Sequence, residues 1–363
     1  MSESLAQLSQ SGVSIWLDDL SRDRLQSGSL ADLIENSYVV GVTTNPSIFS
    51  AAISGSSLYK EDILALKAEG LSTAEIVTEL TTSDVRQACD LFLPTFLESN
   101  QVDGRVSIEV DPRLAYNTEE TIAQGKYLHS LVNRPNLLIK VPATLDGLPA
   151  IEELTAQGIS INVTLIFSVE RYEAVMDAYL RGIERRVSNG LNVSEIHSVA
   201  SFFVSRIDAD IDKKLDAKLQ SHPLRGKAAI ANAVLAYEAW TKVGQSARWL
   251  KLVKFGANLQ RPLWASTGVK DKAYDSTRYV VELVAKDCVN TMPEGTLNEV
   301  RAHGVVRGDS ITPAINSAHS LFSELAKAGI DFTSVVNFLE DDGVAKFEKA
   351  WAELLANVEE VQQ

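Results

Sequence analysis

The sequence predicts a single (β/α)8 TIM barrel, an α/β fold, with additional helices. Short runs rich in β-branched residues alternate with longer amphipathic segments along the chain. This alternation is typical of βα units built around a parallel sheet. A length of 363 residues would allow two average domains, but a barrel with extra helices also fills this range. Eight strand-like runs without a Pro/Gly/Ser-rich linker between them favour one barrel.

The eight predicted strands follow from the apolar and β-branched runs. We expect them at Val13–Asp19, Tyr38–Asn45, Arg105–Asp111, Asn136–Pro142, Ile159–Phe167, Ser198–Arg206, Pro262–Thr267 and Cys288–Met292. The segments between them are typical of helices. Ser168 is a favourable N-cap, and apolar residues recur after it at three- and four-residue steps as far as Val187. Phe347 and Trp351 begin a similar pattern near the C-terminus, which predicts a helix that packs on the barrel and covers its mouth.

Residues 1–363 are expected to form one barrel domain with helical elaborations. An N-terminal helix at Ser2–Ser11 would precede the first strand. The long connections near residues 47–104 and 207–261 are predicted to be helical insertions, and a C-terminal helix completes the domain. These segments elaborate one core and do not build a second one.

Composition and charge exclude several classes of protein. The chain is 45% apolar and 23% charged, as in a globular protein with a full-sized core. Its net charge of −14, with acidic and basic residues mixed, disfavours nucleic acid and anionic membranes as partners. No apolar run reaches about 18 residues, and Met1–Gln10 lacks the features of a signal peptide. Cys89 and Cys288 match no disulfide or metal framework, so we expect a cytoplasmic protein; whether it forms a homo-oligomer stays open.

Lys140 has the most informative position in the sequence. It ends the apolar run Asn136–Ile139 and is followed by Val141 and Pro142. Burying an ammonium without a partner is costly, so a lysine in such a strand needs a reason. Desolvation lowers the pKa of a lysine, and a neutral amine can form a Schiff base with a carbonyl. The alternative is a lysine whose chain follows the strand edge while its ammonium reaches water.

Polar residues occupy the C-terminal ends of the predicted strands, where a barrel of this type has its active site. A packed barrel interior would carry Val, Ile or Leu at these positions. Residues two apart on a strand face the same side, so Ser107 shares a face with Glu109, and Asn162 shares one with Thr164. The polar ends are Asp18-Asp19, Thr43-Thr44-Asn45-Pro46, Ser107-Ile108-Glu109, Lys140, Asn162-Val163-Thr164, Ser201–Arg206 and Ser266-Thr267.

Amine catalysis on a carbonyl sugar needs such a set of side chains. Forming a Schiff base requires protons to be moved at the carbinolamine oxygen, which then leaves as water. A carboxylic acid such as Glu109 can shuttle them through a water held by Thr164. Cleaving the neighbouring carbon–carbon bond requires a base for the hydroxyl that becomes an aldehyde, and Asp18 on another strand suits that role.

The remaining polar strand ends would bind the substrate. Amide and hydroxyl side chains can hydrogen-bond sugar hydroxyls, and Arg206 can donate two hydrogen bonds to a terminal phosphate. The candidate residues for the sugar hydroxyls are Asn45, Asn162, Ser201, Thr43 and Ser107.

Six segments of the chain resemble the transaldolase family. They are Val42-Thr43-Thr44-Asn45-Pro46-Ser47, Val106-Ser107-Ile108-Glu109-Val110-Asp111, Leu138-Ile139-Lys140-Val141-Pro142, Ile161-Asn162-Val163-Thr164-Leu165-Ile166-Phe167-Ser168, Ser201-Phe202-Phe203-Val204-Ser205-Arg206 and Trp264-Ala265-Ser266-Thr267. The resemblance runs from Asp18 to about Pro293 in the family's strand order. The sequence looks most like the longer, single-function bacterial form of the family.

The resemblance implies a class I aldolase-type barrel with no metal or organic cofactor. A dihydroxyacetone unit would pass from sedoheptulose 7-phosphate to glyceraldehyde 3-phosphate, giving erythrose 4-phosphate and fructose 6-phosphate in the non-oxidative pentose phosphate pathway. The implied roles are Lys140 as Schiff-base lysine, Glu109 and Asp18 as the acid/base pair, Thr164 as water holder, Asn45, Asn162 and Ser201 as ligands of the dihydroxyacetone end, and Arg206 as phosphate ligand.

The sequence departs from the family at the phosphate site. Much of the family has an arginine two residues after the seventh strand, whereas Ser266-Thr267-Gly268 stands here. Lys270 is the nearest cation that could substitute, with the hydroxyl of Ser266 beside it. Asp19 is a second ambiguity, because strand alternation lets only one of Asp18 and Asp19 face the barrel centre.

Three other functions compete with transfer. A small-sugar aldolase of the same Schiff-base class would release its product, and the carboxylate at Glu109 and the long insertions favour the transferase. A zinc-dependent aldolase is disfavoured, because the five histidines show no ligand-like spacing. A non-catalytic scaffold would have been free to lose Lys140 and Glu109, which are both present here with their neighbours.

Overall fold

Eight parallel strands form the centre of the computed structural model, which describes residues 2–219 and 221–361. They are β1 (Ser14–Leu17), β2 (Val39–Val42), β3 (Arg105–Glu109), β4 (Leu137–Pro142), β5 (Ile161–Ile166), β6 (Ser198–Phe203), β7 (Arg261–Ala265) and β8 (Val289–Met292). Each strand pairs with the next along the chain, and β8 pairs with β1 to close the barrel. The predicted (β/α)8 fold is confirmed. Met1, Gln220, Gln362 and Gln363 of the predicted domain lie outside the described residues.

Helices connect and surround the strands. They are α1 (Glu3–Gln10), α2 (Arg22–Ser27), α3 (Ser29–Asn36), α4 (Pro46–Gly55), α5 (Lys60–Ala68), α6 (Thr73–Glu98), α7 (Thr118–Val132), α8 (Gly147–Ala156), α9 (Val169–Ser188), α10 (Ser205–Asp216), α11 (Ala228–Gln245), α12 (Ala247–Leu252), α13 (Arg278–Val281), α14 (Glu294–His303), α15 (Ile315–Lys327) and α16 (Phe332–Val361). Helices α4 to α6 and α10 to α12 occupy the two long connections. None of the described helices has the length and apolar composition needed to cross a bilayer.

The strands are buried because the barrel wall is covered on both sides. All six residues of β4 and all six of β5 are buried, and these include the polar residues Lys140, Asn162 and Thr164. Close packing also fixes a glycine in β2. A Cβ at Gly41 would lie 2.5 Å from the indole of Trp16, its partner on β1, so a side chain there would displace the ring.

Six of the eight strands end earlier than the sequence predicted, and the difference is largest, three residues, in β2 and β6. For β6 the prediction ran from Ser198 to Arg206, but the strand stops at Phe203 and α10 begins at Ser205. Apolar residues continue past the strand end, which explains the overlong prediction. Ile207, Ile211 and Leu215 are buried at four-residue spacing, the pattern of a helix face. Arg206 therefore projects from the first turn of a helix and not from a strand.

Helix α16 lies across the C-terminal end of the barrel. It packs against α4, α6 and α10, the elements that follow β2 and β6. Its Gly343 lies against β5, where an added Cβ would meet a methyl group of Leu165 at 3.0 Å. Phe347, one helical turn further on, reaches the barrel mouth. The last helix thus covers part of the surface on which the strand-end residues are displayed.

Candidate active site

A cavity of about 640 Å³ opens at the C-terminal ends of the strands. This is the end at which barrels of this type carry their active sites. The predicted site residues that line it are Asp18, Thr43, Asn45, Lys140, Thr164, Ser201, Arg206, Ser266 and Lys270. The other three predicted residues, Glu109, Ser107 and Asn162, are buried next to these lining groups.

Lys140 and Glu109 form an ion pair inside the barrel. Lys140 Nζ lies 3.0 Å from Glu109 Oε2 and donates a 2.9 Å hydrogen bond to the carbonyl of Thr44. The two side chains are only 5% and 3% exposed. Their positions follow from strand register, because the two residues are paired across β3 and β4. Burial raises the pKa of Glu109 to about 7 despite the opposing charge of Lys140, so this carboxyl can both give and take a proton near neutrality.

The ammonium of Lys140 also faces an aromatic ring. Its Nζ lies 5.5 Å from the ring centroid of Phe347 on α16. This distance allows a cation–π attraction and shields one side of the amine from water. The sequence predicted Phe347 as a packing residue of the last helix, and its contact with the lysine depends on how that helix lies on the barrel.

Asp18 lies just past β1, on the opposite side of the barrel mouth from β4 and β5. Its Oδ1 accepts a 2.7 Å hydrogen bond from the hydroxyl of Thr43. Desolvation inside the barrel mouth raises the pKa of Asp18 above its ordinary value, and the charge of Lys140 and the hydrogen bond from Thr43 offset this only in part. A carboxylate with a raised pKa is a better proton acceptor than an ordinary aspartate, as suits a base.

Asp19 also lines the cavity, but its carboxylate is already paired. Arg24 Nη2 lies 2.6 Å from Asp19 Oδ2 and 2.6 Å from Glu294 Oε2. This network ties Asp19 to the start of α2 and to α14. Asp18 is not in this network, and the charge of Lys140 acts to lower its pKa.

A chain of hydrogen bonds crosses the barrel beneath the lysine. Ser201 Oγ donates to Asn162 Oδ1 at 2.7 Å, and Asn162 Nδ2 donates to Ser107 Oγ at 3.0 Å. All three side chains are buried, and of the three only Ser201 lines the cavity. Asn162 and Ser107 therefore hold Ser201 from below, and direct contact between either of them and a substrate stays a prediction.

Thr164 has a buried hydroxyl with no hydrogen-bond partner among the described residues. The backbone around it is irregular: the pairing of β5 with β6 shifts between Val163 and Ile166, and Leu165 has φ +62°. A bulky residue in the left-handed region is strained, and such strain is concentrated at functional sites. Thr164 lines the cavity that it shares with Lys140, where its hydroxyl is free to bond a water or a substrate.

Asn45 joins the cavity to helix α4. Its side-chain oxygen caps this helix by accepting a 3.1 Å hydrogen bond from the amide of Ile48. The cap fixes the orientation of the side chain. The amide NH2 group at its other side stays available to a ligand in the cavity.

Two cations stand at the far side of the cavity. Arg206 stacks on Phe203, with its guanidinium carbon 5.2 Å from the ring centroid, and desolvation lowers its pKa. Lys270 lies at the exposed rim, where desolvation and the charges of Arg206 and Lys346 lower its pKa. Cations that repel one another in this way are stabilised by an anion between them. Ser266 adds a hydroxyl beside Arg206, held at φ +56° and 3.0 Å from Ser205 Oγ.

The described lining of the cavity contains neither histidine nor cysteine. No group of three His, Cys, Asp or Glu side chains among residues 2–219 and 221–361 is arranged to hold a metal ion. Cys89 and Cys288 are buried and free, and burial raises the pKa of both thiols. The side chains at the cavity instead offer amine, carboxyl, hydroxyl, amide and guanidinium groups.

Comparison with known proteins agrees with this geometry. A family model described as transaldolase/fructose-6-phosphate aldolase matches residues 15–358. Transaldolase 1 of Streptomyces avermitilis is 56% identical over 359 residues, which cover 98% of this chain and 95% of the relative. The transaldolase of Mycobacterium tuberculosis is 55% identical over 354 residues, and that of Mycolicibacterium smegmatis is 56% identical over 353 residues; both alignments cover 97% of this chain and 95% of the relative. The chain therefore belongs to the transaldolase/fructose-6-phosphate aldolase family.

Proposed function

We propose that this chain is a transaldolase that moves a dihydroxyacetone unit from sedoheptulose 7-phosphate to glyceraldehyde 3-phosphate. The products are erythrose 4-phosphate and fructose 6-phosphate, as in the non-oxidative pentose phosphate pathway. The observation that carries the proposal is the buried pair of Lys140 and Glu109, which adjoins a cavity with two cations at its far side. The names of the relatives support the same activity. Two buried free thiols favour the cytoplasm as its location.

The first half of the reaction forms the Schiff base. Glu109 takes one proton from the ammonium of Lys140, and the neutral amine then attacks the ketose carbonyl. After the addition the nitrogen gives up a second proton. Both protons pass through Glu109 and a water bonded to Thr164 to the carbinolamine oxygen, which leaves as water, so that the iminium forms and Glu109 is ionised again. Because the pKa of Glu109 is about 7, neither direction of proton transfer is strongly unfavourable at neutral pH.

The second half breaks and remakes a carbon–carbon bond. Asp18 takes the proton of the hydroxyl that becomes the aldehyde, and the bonding electrons move to the iminium nitrogen to give an enamine. The aldose phosphate leaves while the three-carbon unit stays on Lys140. An incoming aldehyde is attacked by the enamine carbon, and Asp18 returns its proton to the new hydroxyl oxygen.

Substrate binding is divided between the two sides of the cavity. Asn45 and Ser201 bind the hydroxyl groups of the dihydroxyacetone end, next to Lys140. Arg206 and Lys270 bind the terminal phosphate, with Ser266 as an additional donor. The guanidinium supplies two donors in one plane, whereas the ammonium acts as a point charge.

The test is a coupled assay for erythrose 4-phosphate formation with wild type and Lys140→Ala. Wild type should turn over only with both substrates present, and the variant should be inactive. Sustained release of free dihydroxyacetone from fructose 6-phosphate, unchanged by adding an acceptor aldehyde, would instead assign the aldolase activity that the family also includes. Activity that survives in Lys140→Ala would exclude the Schiff-base mechanism.

A further inference from the structure

Thr291, near the end of β8, takes no part in the proposed reaction steps. It lines the cavity together with Thr43 after β2, Lys140 on β4 and Ser201 on β6. These four residues come from alternate strands, as expected for one layer of side chains inside a TIM barrel. The other three members of the layer bind, react or contact the catalytic carboxylate. The fourth member, Thr291, is buried, and its contacts indicate its role.

Thr291 contacts the hydrogen-bond partner of Asp18. Thr291 Oγ1 lies 2.6 Å from Thr43 Oγ1, which lies 2.7 Å from Asp18 Oδ1. Both threonines are only 2% exposed. Backbone groups hold the three residues in place, since Thr43 N donates to Leu17 O at 2.9 Å, Asp18 N donates to Met292 O at 2.8 Å, and the carbonyl of Thr291 accepts a 2.8 Å hydrogen bond from Thr267 Oγ1.

The number of hydroxyl protons decides which residue is the donor in each of these contacts. A threonine hydroxyl has a single proton. Because Thr43 uses its proton on the carboxylate of Asp18, the short contact between the two threonines has to be made by the proton of Thr291. Thr43 in turn has no proton left for a substrate hydroxyl, although the sequence pattern placed it among the substrate ligands.

We propose that Thr43 and Thr291 are positioning residues for Asp18: Thr291 donates to Thr43 and thereby directs the single proton of Thr43 onto the catalytic carboxylate. This inference deepens the proposed transaldolase function and rests on it. Consecutive hydrogen bonds polarise one another, so the bond to Asp18 is stronger with Thr291 in place than without it.

The charged groups around Asp18 explain why such support matters. Lys140 on β4 favours its ionised form, while desolvation and the charge of Asp19 oppose it. Asp19 is itself paired with Arg24 of α2, which also contacts Glu294 of α14, and Glu109 of β3 feels the charge of Asp18. A base has to be ionised to accept the proton of the substrate. Each hydrogen bond given to the carboxylate therefore extends the active form of Asp18 to lower pH.

The experiment compares Thr43→Val, Thr291→Val, the double variant and Thr291→Ser. Two readouts are taken across pH with fructose 6-phosphate: first-turnover release of glyceraldehyde 3-phosphate, which reports cleavage, and borohydride trapping on Lys140, which reports the Schiff base. The rate of aldehyde release falls at low pH, and the pH at which it falls is its acidic limb. This limb should move up by about one pH unit in Thr43→Val, because one hydrogen bond to a charged group is lost. In Thr291→Val it should move up by a few tenths of a unit, roughly the loss of cooperative strengthening.

Two controls separate positioning from simple packing. Thr291→Ser keeps the hydroxyl and should keep the limb of wild type, while the trapping rate and KM should change little in any variant. The double variant should shift no further than Thr43→Val alone, because Thr291 acts through Thr43. If Thr291→Val does not fold, Thr291→Ala removes the same hydroxyl and carries the same expectation.

An unmoved limb in Thr291→Val and Thr291→Ala, additive shifts in the double variant, or an effect confined to KM would overturn the inference. Absence of a trapped adduct on Lys140 in the wild type would instead contradict the proposed transaldolase function. The two failures are therefore distinguishable in one set of measurements.

Discussion

Lys140 and Glu109 face each other across the β3–β4 pair, with 3.0 Å between ammonium nitrogen and carboxylate oxygen. Each partner compensates the buried charge of the other, so removing one leaves an unpaired charge in the barrel. In the proposed mechanism, the same contact gives the amine an acceptor for its proton where it attacks the carbonyl. Structural and catalytic roles would then fall on one pair, and variants of each partner separate them.

Lys140→Ala should abolish turnover, because no other group at this position can form the covalent intermediate. Mass spectrometry after borohydride reduction with fructose 6-phosphate should find the adduct on Lys140 in the wild type and no adduct in the variant. Lys270→Ala is the matched control, since it removes a lysine from the same cavity and should still be trapped. An adduct on a different lysine would refute the assignment.

Glu109→Gln should slow the formation of the Schiff base and change its dependence on pH. In the wild type, the trapping rate should vary with pH around 7, where the raised pKa of Glu109 lies. Glutamine neither gives nor takes a proton, so this variation should disappear. Trapping rates measured from pH 5 to 9 test this, and a variant that keeps the wild-type profile would assign the proton shuttle to another group.

Asp18→Asn and Asp19→Asn should differ although the residues are adjacent. Asp18→Asn should still form the adduct but should not release an aldehyde, because the base for carbon–carbon cleavage is gone. Asp19→Asn loses its ion pair with Arg24 and should keep cleavage. Aldehyde release in the first turnover is the measurement, and the opposite outcome would place Asp19 at the reacting carbon.

Arg206→Ala should raise KM for sugar phosphates more than Lys270→Ala does. A guanidinium can bind two phosphate oxygens, and losing a hydrogen bond to a charged group costs on the order of 2–3 kcal/mol. KM for dihydroxyacetone, a donor without phosphate, should change little in either variant. If Arg206→Ala weakens both kinds of donor alike, Arg206 supports the barrel and does not bind phosphate.

Asp342→Asn should strengthen phosphate binding. Asp342 lies on α16, forms a 2.5 Å ion pair with Lys346, and its charge raises the pKa of both Arg206 and Lys270. A negative charge among these cations competes with a bound phosphate. KM for fructose 6-phosphate should fall in the variant, whereas Asp341→Asn on the exposed side of the same helix should have little effect. A higher KM in Asp342→Asn would mean that this carboxylate holds the cations in position.

The barrel and the gathering of polar side chains at its mouth could be predicted because they obey local rules. Lys140, Glu109 and Thr164 stand out as polar residues in apolar strands, and the ends of parallel strands meet at one end of a barrel. The contacts of Phe347 and Thr291 could not be predicted, because they depend on how a distant helix and the closing strand approach the others. Arg206 was found but misplaced, since an apolar stretch hides the point at which the strand ends and the helix begins. The bulge at Leu165 has no sequence signal either, as leucine rarely adopts a positive φ.

Phe347 belongs to the last helix of the chain, whereas every strand of the barrel is complete by Met292. During synthesis, the reactive amine is therefore made long before the ring that shields it. A chain cut before α16 would lack this ring, and on the proposed mechanism we expect water to reach its enamine more readily than in the full chain.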